Sequence, residues 1–194
     1  MKLVKGDIIR NPWVSDPKWR GCGEMSKRPK ITGMLSDLVA KRLTSQNSYW
    51  AAEVNFDKNT SRNRRIDFVG FKPFTPNYVV EPTSVELGCF TCYEIKSSIA
   101  DYNSGHGLTF YGDKNYLVCT CELAEELRNT AVAWPHNLTG ILCPTKNWKQ
   151  LRTKIDLSGH ETHRIRPASE MLWAICQSHD YDRNGIYQYS EAEK

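Results

Sequence analysis

Two short apolar segments carry ionised side chains where a buried strand would ordinarily hold Val or Ile. Residues 93–98 include Glu94 and Lys96, and residues 64–69 include Asp67. Side chains two apart on a strand share a face, so Glu94 and Lys96 point the same way, whereas Ile95 points into the opposite layer. Two carboxylates on neighbouring strands, with an ammonium beside them, can hold a divalent cation and an attacking water. This arrangement suits phosphodiester hydrolysis.

The carboxylates are the first candidates for metal ligands. Asp67 and Glu94 supply hard oxygen atoms, and the backbone carbonyl of Ile95 can supply another. Such a donor set favours Mg²⁺ or Mn²⁺ with several waters retained. A further acidic ligand is expected from Glu53, in the strand-like segment 49–56, with Asp37 as the second choice. An exposed strand carboxylate is the competing interpretation of Glu53.

Lys96 is the candidate for charge stabilisation on the attacked phosphate, or for positioning and deprotonating the attacking water. The competing interpretation is an ion network of Glu94, Lys96 and Asp67 that only neutralises itself. His106 stands in a Gly-rich turn, residues 104–107, and is a candidate contact to a phosphate or to the nucleophilic water. A solvated turn histidine is the alternative.

The composition indicates one domain with an appendage: 194 residues, 40% hydrophobic and 25% charged. The sequence has no apolar run long enough to span a bilayer and no apolar signal segment at its start, so a cytoplasmic protein without a membrane partner is expected. Seven cysteines are then expected to be reduced. Cys89 and Cys92 have the spacing of a zinc half-site, but residues three apart on a strand face opposite ways, so core packing is favoured over zinc.

Basic residues are clustered although the net charge is only +4. Arg62, Arg64 and Arg65 directly precede Asp67, and a second cluster lies within residues 146–154. Each cluster by itself is most simply a solvated face, but together they fit a surface that follows a phosphate backbone. These three arginines and Tyr102 are therefore candidate DNA-binding residues.

The chain divides into three zones: a loop-rich arm (1–30), a core (31–143), and a C-terminal helical extension with a polar tail (144–194). Helical spacing of apolar residues predicts helices at 31–43, 123–130, 148–155 and 168–178. Strand-like runs lie at 49–56, 66–71, 90–95, 116–121 and 139–143. This order predicts an α/β fold with a central mixed sheet flanked by helices.

The tail contains a calcium-binding pattern. Residues 180–191 have the acidic and amide spacing of an EF-hand loop, from Asp180 to Glu191. Tyr187 occupies a position usually held by Ile, Leu or Val, and three residues follow Glu191, so no exiting helix is expected. A polar tail is the favoured interpretation.

The core resembles a known nuclease superfamily. Asp67 on the second predicted strand and Glu94-x-Lys96 on the third, after an opening helix, are similar to the PD-(D/E)XK pattern. Residues 94–102, with the sequence EIKSSIADY, resemble the E-[VI]-K-S-S-x-x-D-[FY] stretch of MmcB-like DNA-repair endonucleases. Residues 105–118 resemble relatives of phage or mobile-element type. The sequence departs from the pattern at Ile66, where the superfamily name has Pro.

The resemblance implies a restriction-endonuclease-like αβββαβ core and an Mg²⁺- or Mn²⁺-dependent endodeoxyribonuclease. Its expected catalytic residues are Asp67, Glu94 and Lys96, and its expected context is DNA repair, recombination or defence in a bacterium or phage. The alternative is a member of the same fold that binds nucleic acid or protein without catalysis. RNA as the substrate is a third possibility, although no RNA-specific motif is present, and a homodimer is left open.

Overall fold

The computed structural model describes residues 27–46, 49–130, 134–159 and 162–178. The strands are β1 (Tyr49–Phe56), β2 (Arg64–Lys72), β3 (Cys89–Ile95), β4 (Lys114–Val118), β5 (Gly140–Pro144) and β6 (Leu151–Asp156). The helices are α1 (Lys27–Ser45), α2 (Pro82–Glu86), α3 (Ile99–Asn103), α4 (Cys121–Asn129) and α5 (168–178). The predicted arm up to residue 26 and the EF-hand-like segment 180–191 lie outside the described residues.

The six strands form one mixed sheet in the order β1-β2-β3-β4-β5-β6. β1, β2 and β3 are an antiparallel meander, β3, β4 and β5 run parallel, and β6 returns antiparallel to β5. We call the end of the sheet where β3, β4 and β5 finish the carboxyl end, and the other end the amino end. The pairing also places the β1–β2 turn (57–63) and the β5–β6 turn (145–150) at the carboxyl end.

Helices cover both faces of the sheet. On one face, α1 buries Leu35, Val39 and Leu43 against a cluster that includes Tyr93 and Ile95. On the other face, two clusters lie side by side. One contains α5 residues packed on β1, β2 and β3, and the other contains α3 and α4 residues packed on β4 and β5. The predicted α/β class with a central mixed sheet flanked by helices is therefore confirmed.

Most predicted elements are found, with shifted boundaries. β1 occupies the predicted range and α5 matches residues 168–178. α1 begins at Lys27, so four residues of the predicted arm are helical. The strand expected at 116–121 ends at Val118, because the Thr120 hydroxyl accepts a hydrogen bond from the Leu123 N–H (3.3 Å) and caps α4.

The helix predicted at residues 148–155 is wrong. Residues 151–156 form β6, which pairs with β5, so the sheet extends beyond the predicted end of the core at residue 143. Apolar residues at 148, 151 and 155 fit a helical period, but the β-branched Thr153 and Ile155 also suit a strand. Pairing with β5 decided between the two, as tertiary context commonly does. Within the described ranges, no helix is long and apolar enough to cross a membrane.

Candidate active site

The ladder between β2 and β3 brings Asp67 beside Glu94. Phe68 pairs with Tyr93 in this antiparallel ladder, so Asp67 lies opposite Glu94 at the next position toward the carboxyl end. The backbone N–H of Ile95 donates a hydrogen bond to Asp67 Oδ2 at 2.8 Å. This bond fixes the Asp67 side chain against β3 instead of leaving it in solvent. The predicted convergence of Asp67 and Glu94 is present.

Glu94 and Lys96 form a buried ion pair. Each residue is only 4% exposed, and Lys96 Nζ lies 3.2 Å from Glu94 Oε1. The same ammonium donates to the backbone carbonyl of His106 at 2.6 Å and lies 3.5 Å from Asp101 Oδ1. An ammonium has three N–H donors, and three oxygens surround this one. Lys96 is therefore held in one position by three separate parts of the chain.

The backbone of Gly107 lies directly against the Glu94 carboxylate. The sequence pattern did not identify this residue. Its φ is +71°, a backbone conformation that favours glycine. A Cβ atom at this position would lie 1.8 Å from Glu94 Oε1. Only glycine therefore allows the turn to lie directly on the Glu94 carboxylate. The repeated glycines around His106 were the signal that could have identified it.

The second oxygen of Glu94 is the unusual feature of the site. Oε2 is buried and accepts no hydrogen bond. The pKa of Glu94 is raised to about 8: burial is the main cause, the nearby Asp67 carboxylate adds to the rise, and Lys96 and the Asp67 backbone N–H oppose it. A buried acceptor without a donor is costly, so such an atom requires a bound proton, a cation or a water to satisfy it.

Asp67 also has a raised pKa. Burial is the main cause, whereas the Ile95 N–H and the ammonium of Lys96 favour the charged form. Two neighbouring carboxylates that both resist ionisation form a site that a divalent cation would stabilise, because the cation offsets the charge of both.

The start of α3 holds the segment that follows Lys96. Ser98 is the N-cap residue, and its hydroxyl accepts a hydrogen bond from the Asp101 N–H at 3.2 Å. Asp101 Oδ2 in turn accepts from the Ser97 N–H at 3.4 Å. This reciprocal arrangement resembles a capping box, with Ser98 as the cap of the helix. Asp101 therefore connects the helix start to the Lys96 ammonium.

Glu53 lies on β1 opposite Asp67, because its neighbours Ala52 and Val54 pair with Phe68 and Ile66 on β2. Its backbone has φ +54°, which is strained for a non-glycine residue. Its side chain is 59% exposed and its Oε2 lies 2.8 Å from Arg65 Nε. Burial raises the pKa of Glu53, Arg65 opposes the rise, and Asp67 adds to it. In this structure Glu53 is close enough to sense Asp67 but is paired with Arg65.

Several other predicted residues are placed differently from expectation. His106 is exposed and contributes its backbone carbonyl, not its imidazole, to the contact with Lys96. Tyr102 is 4% exposed and packs in the core beside α4, so its ring does not face a substrate. Asp37 lies on α1, which covers the opposite face of the sheet. Arg62 and Arg64 are exposed at the carboxyl end.

The cation-binding capacity of the site rests on two carboxylates. Within residues 27–46, 49–130, 134–159 and 162–178, no group of three or more His, Cys, Asp and Glu side chains is arranged to hold a metal ion. Cys89 and Cys92 are free thiols, and Cys92 packs in the cluster beneath α5. Any divalent cation at Asp67 and Glu94 would therefore complete its shell with backbone oxygen, water or substrate.

Comparisons with known proteins bear on the fold alone. No protein-family model matches the chain, and no curated protein is significantly similar to it. A solved structure, the SPO1766 protein of unknown function from Silicibacter pomeroyi, is similar with a TM-score of 0.52 and 15% sequence identity. The similarity covers 88% of this chain and 96% of that chain. The two chains share a fold, and the function must be argued from the site.

Proposed function

We propose that this protein is a metal-dependent nuclease that hydrolyses DNA phosphodiester bonds, with a core of the restriction-endonuclease-like type. The observation that carries the proposal is the buried Glu94 Oε2, which has no hydrogen-bond partner and lies beside Asp67 and Lys96. Clusters of this kind, with perturbed pKa values and a positioned ammonium, are typical of functional sites.

The donor set fits Mg²⁺ or Mn²⁺. These ions are commonly held by one or two carboxylates together with waters and substrate phosphates, and seldom by a complete protein cage. Asp67 and Glu94 would hold the ion, with the Ile95 carbonyl as a further oxygen. A bound divalent cation would orient the phosphate, stabilise its developing charge and lower the pKa of a water.

The chain's own residues have separable roles in this proposal. Glu94 and Asp67 present their oxygens from a rigid two-strand ladder, which preorganises the site. Lys96 is held beside Glu94 by the His106 carbonyl and would stabilise negative charge on the attacked phosphate. Arg62 and Arg64 would contact phosphates on either side of the scissile bond.

The arrangement of elements supports the proposed type. An opening helix is followed by a three-stranded antiparallel meander, whose β2–β3 connection contains the five-residue α2, and then by a short helix and a strand parallel to the third. Asp67 lies on the second strand and Glu94 and Lys96 at the end of the third. This is the order expected of the αβββαβ core, although the connection between β3 and β4 contains only the five-residue α3.

Cleavage is tested directly with labelled linear, branched and circular DNA in the presence of Mg²⁺, Mn²⁺ or EDTA. Wild-type protein should cleave at least one substrate with a cation and none with EDTA. Lys96→Ala should lower turnover by several orders of magnitude at saturating cation, with DNA affinity within roughly tenfold, because a group used in the transition state adds little to ground-state binding. Cleavage by Lys96→Ala at the wild-type rate would disprove the assignment.

Cation binding is tested separately by calorimetry with Mn²⁺. Wild-type protein should bind Mn²⁺ and Asp67→Asn should lose most of that affinity, since it removes one of the two carboxylate ligands. Glu86→Gln serves as the matched acidic control, because Glu86 is exposed on α2, in the β2–β3 connection at the amino end. Equal Mn²⁺ affinity in wild type and Asp67→Asn would remove this site from consideration.

A non-catalytic nucleic-acid-binding protein of the same fold is the second candidate. The observation that favours it is the 4% exposure of Glu94 and Lys96, which the turn at Gly107 covers. On this alternative, the buried ion pair would be purely structural. DNA binding without cleavage of any tested substrate, under every cation condition, would support it over the nuclease.

A further inference from the structure

The carboxyl end of the sheet has two basic turns, one on each side of the candidate site. The β1–β2 turn carries Lys58 and Arg62, and the β5–β6 turn carries Lys146 and Lys149; all four residues are exposed. None of them takes part in an ion pair within the described part of the chain. Their charges are therefore available to an anionic partner.

The β5–β6 turn is held rigid by its own hydrogen bonds. The Thr145 N–H donates to the Gln150 carbonyl at 2.8 Å, and the Trp148 N–H donates to the Thr145 carbonyl at 2.8 Å. Asn147 Oδ1 accepts a hydrogen bond from the Lys149 N–H at 3.2 Å. Trp148 has φ +53° and packs against the α1 cluster. A turn fixed in this way presents its two lysines with little ordering cost on binding.

Tertiary structure divides the basic cluster of residues 146–154 into two parts. Lys146 and Lys149 remain at the carboxyl end, whereas β6 runs away from it and carries Lys154 toward the amino end. Lys154 Nζ lies 2.6 Å from Glu125 Oε1, so its charge is already paired. Lys154 is therefore excluded from contact with a ligand that enters the site, whereas the two turn lysines and the exposed Arg152 at the start of β6 are in no ion pair with the described residues.

The two turns are separated by four strand spacings, or about 19 Å at about 4.8 Å per strand. Asp67 and Glu94 lie between them, on β2 and β3. A duplex with a rise of about 3.4 Å per base pair spans this distance in about six base pairs. We infer that duplex DNA lies across the carboxyl end, with both turns on its phosphates and the scissile phosphate at the site. This inference rests on the proposed nuclease function.

The exposed aromatic residues favour a duplex over a single strand. Proteins that bind single strands stack the bases on exposed aromatic rings. Among the described residues, the exposed rings of Tyr49, Phe74 and Tyr78 lie on the amino-end side, at the start of β1 and in the β2–β3 connection. Trp173 lies on α5, on the face of the sheet. The one ring on the two turns, Trp148, is partly buried against the α1 cluster. The turns thus offer mainly charge, which matches backbone contact to a paired helix.

Fluorescence anisotropy with a labelled duplex of about two dozen base pairs, in EDTA so that no cleavage occurs, tests this inference. Two double variants remove one turn each: Lys58→Ala with Arg62→Ala, and Lys146→Ala with Lys149→Ala. The matched control is Lys72→Ala with Lys114→Ala, which removes the same charge from exposed positions at the amino end.

Each turn variant should weaken duplex binding by tenfold or more and reduce the slope of log K against log salt by about 1.8, since each phosphate contact contributes about 0.9. The control should stay within about twofold of wild type, and wild type should bind the duplex more tightly than a single strand of the same sequence. Equal weakening by the control, an effect of one turn only, or tighter binding of the single strand would overturn the inference. If the binding results are as expected but wild-type protein cleaves no DNA in the separate assay with Mg²⁺ or Mn²⁺, the proposed nuclease function would be overturned and the binding site for duplex DNA would stand.

Discussion

Glu94 and Gly107 depend on each other at the level of single atoms. The turn that carries Gly107 excludes solvent from Glu94, and that exclusion raises the carboxyl pKa and strengthens its interaction with Lys96. The same turn supplies the His106 carbonyl that holds the ammonium. One turn therefore controls both the protonation of Glu94 and the position of the Lys96 ammonium beside it.

Gly107→Ala should be much more damaging than Gly105→Ala. Both glycines have a positive φ near +70°, so both alanines bear similar backbone strain. Only at position 107 would the new Cβ meet Glu94; at position 105 nothing lies within 4 Å. We expect Gly105→Ala to lose about 1 kcal/mol and Gly107→Ala to lose several times more, measured by denaturant unfolding. Equal losses of unfolding free energy would show that the Gly107 backbone is not in close contact with Glu94.

Glu94 should make the cation-free protein less stable as the pH rises. Its pKa is about 8 in the folded state and near 4.5 when unfolded, so between these values the folded state binds a proton that the unfolded state does not. Stability from this group is complete below pH 4.5 and is lost as the pH rises through 8.

Glu94→Gln cannot ionise and should lack this loss. In EDTA, the melting temperature of Glu94→Gln relative to wild type should be higher at pH 9 than at pH 5, by an amount that corresponds to several kcal/mol. Added Mn²⁺ at pH 9 should stabilise wild type and leave the variant unchanged. A difference that is independent of pH would show that Glu94 is ionised throughout.

At the scale of the element, the alternation of faces along β1 is interrupted at the position that faces Asp67. Ala51 and Val54 are three apart yet pack in the same cluster, so the alternation of faces is interrupted at Glu53. The left-handed backbone of Glu53 explains the interruption. Strain of this kind is retained where surrounding structure enforces it, and it is frequent at functional sites.

Glu53→Gly and Glu53→Ala should separate strain from charge. Both variants remove the Glu53 carboxylate and its ion pair with Arg65, but only glycine adopts φ +54° without strain. Glu53→Gly should therefore be more stable than Glu53→Ala by about 1 kcal/mol in thermal unfolding. If Glu53 is also a cation ligand, both variants should lower Mn²⁺ affinity to the same extent. Greater stability of the alanine variant would contradict the left-handed conformation.

At the scale of the whole molecule, the segment after β6 completes the core. Arg166 contacts Asp57 in the β1–β2 turn and Glu170 on α5, and its guanidinium lies 4.8 Å from the centre of the Tyr111 ring. α5 then buries Met171 and Ile175 against the meander. The segment links the β1–β2 turn to the face of the sheet that carries Glu94.

Met171→Ala should destabilise the fold by about 2–5 kcal/mol, because Met171 is fully buried and its truncation leaves a cavity. Trp173→Ala on the same helix is the matched control: it removes a larger side chain that is 61% exposed, and should cost less than about 1 kcal/mol. Chemical denaturation measures both. A small loss for Met171→Ala would show that α5 is not part of the cooperative unit.

Local pattern was sufficient for much of this protein. Alternating apolar residues predicted β1, helical spacing predicted α1 and α5, and ionised residues in apolar strands identified Asp67, Glu94 and Lys96, because all of these depend on neighbours in sequence. Long-range contacts decided the rest. Pairing with β5 made residues 151–156 a strand, and packing beside α4 buried Tyr102. The contact between Gly107 and Glu94 joins residues that are far apart in sequence, so no local periodicity could predict it. The free energy of these contacts arises only when distant segments pack together, so only the tertiary structure could decide them.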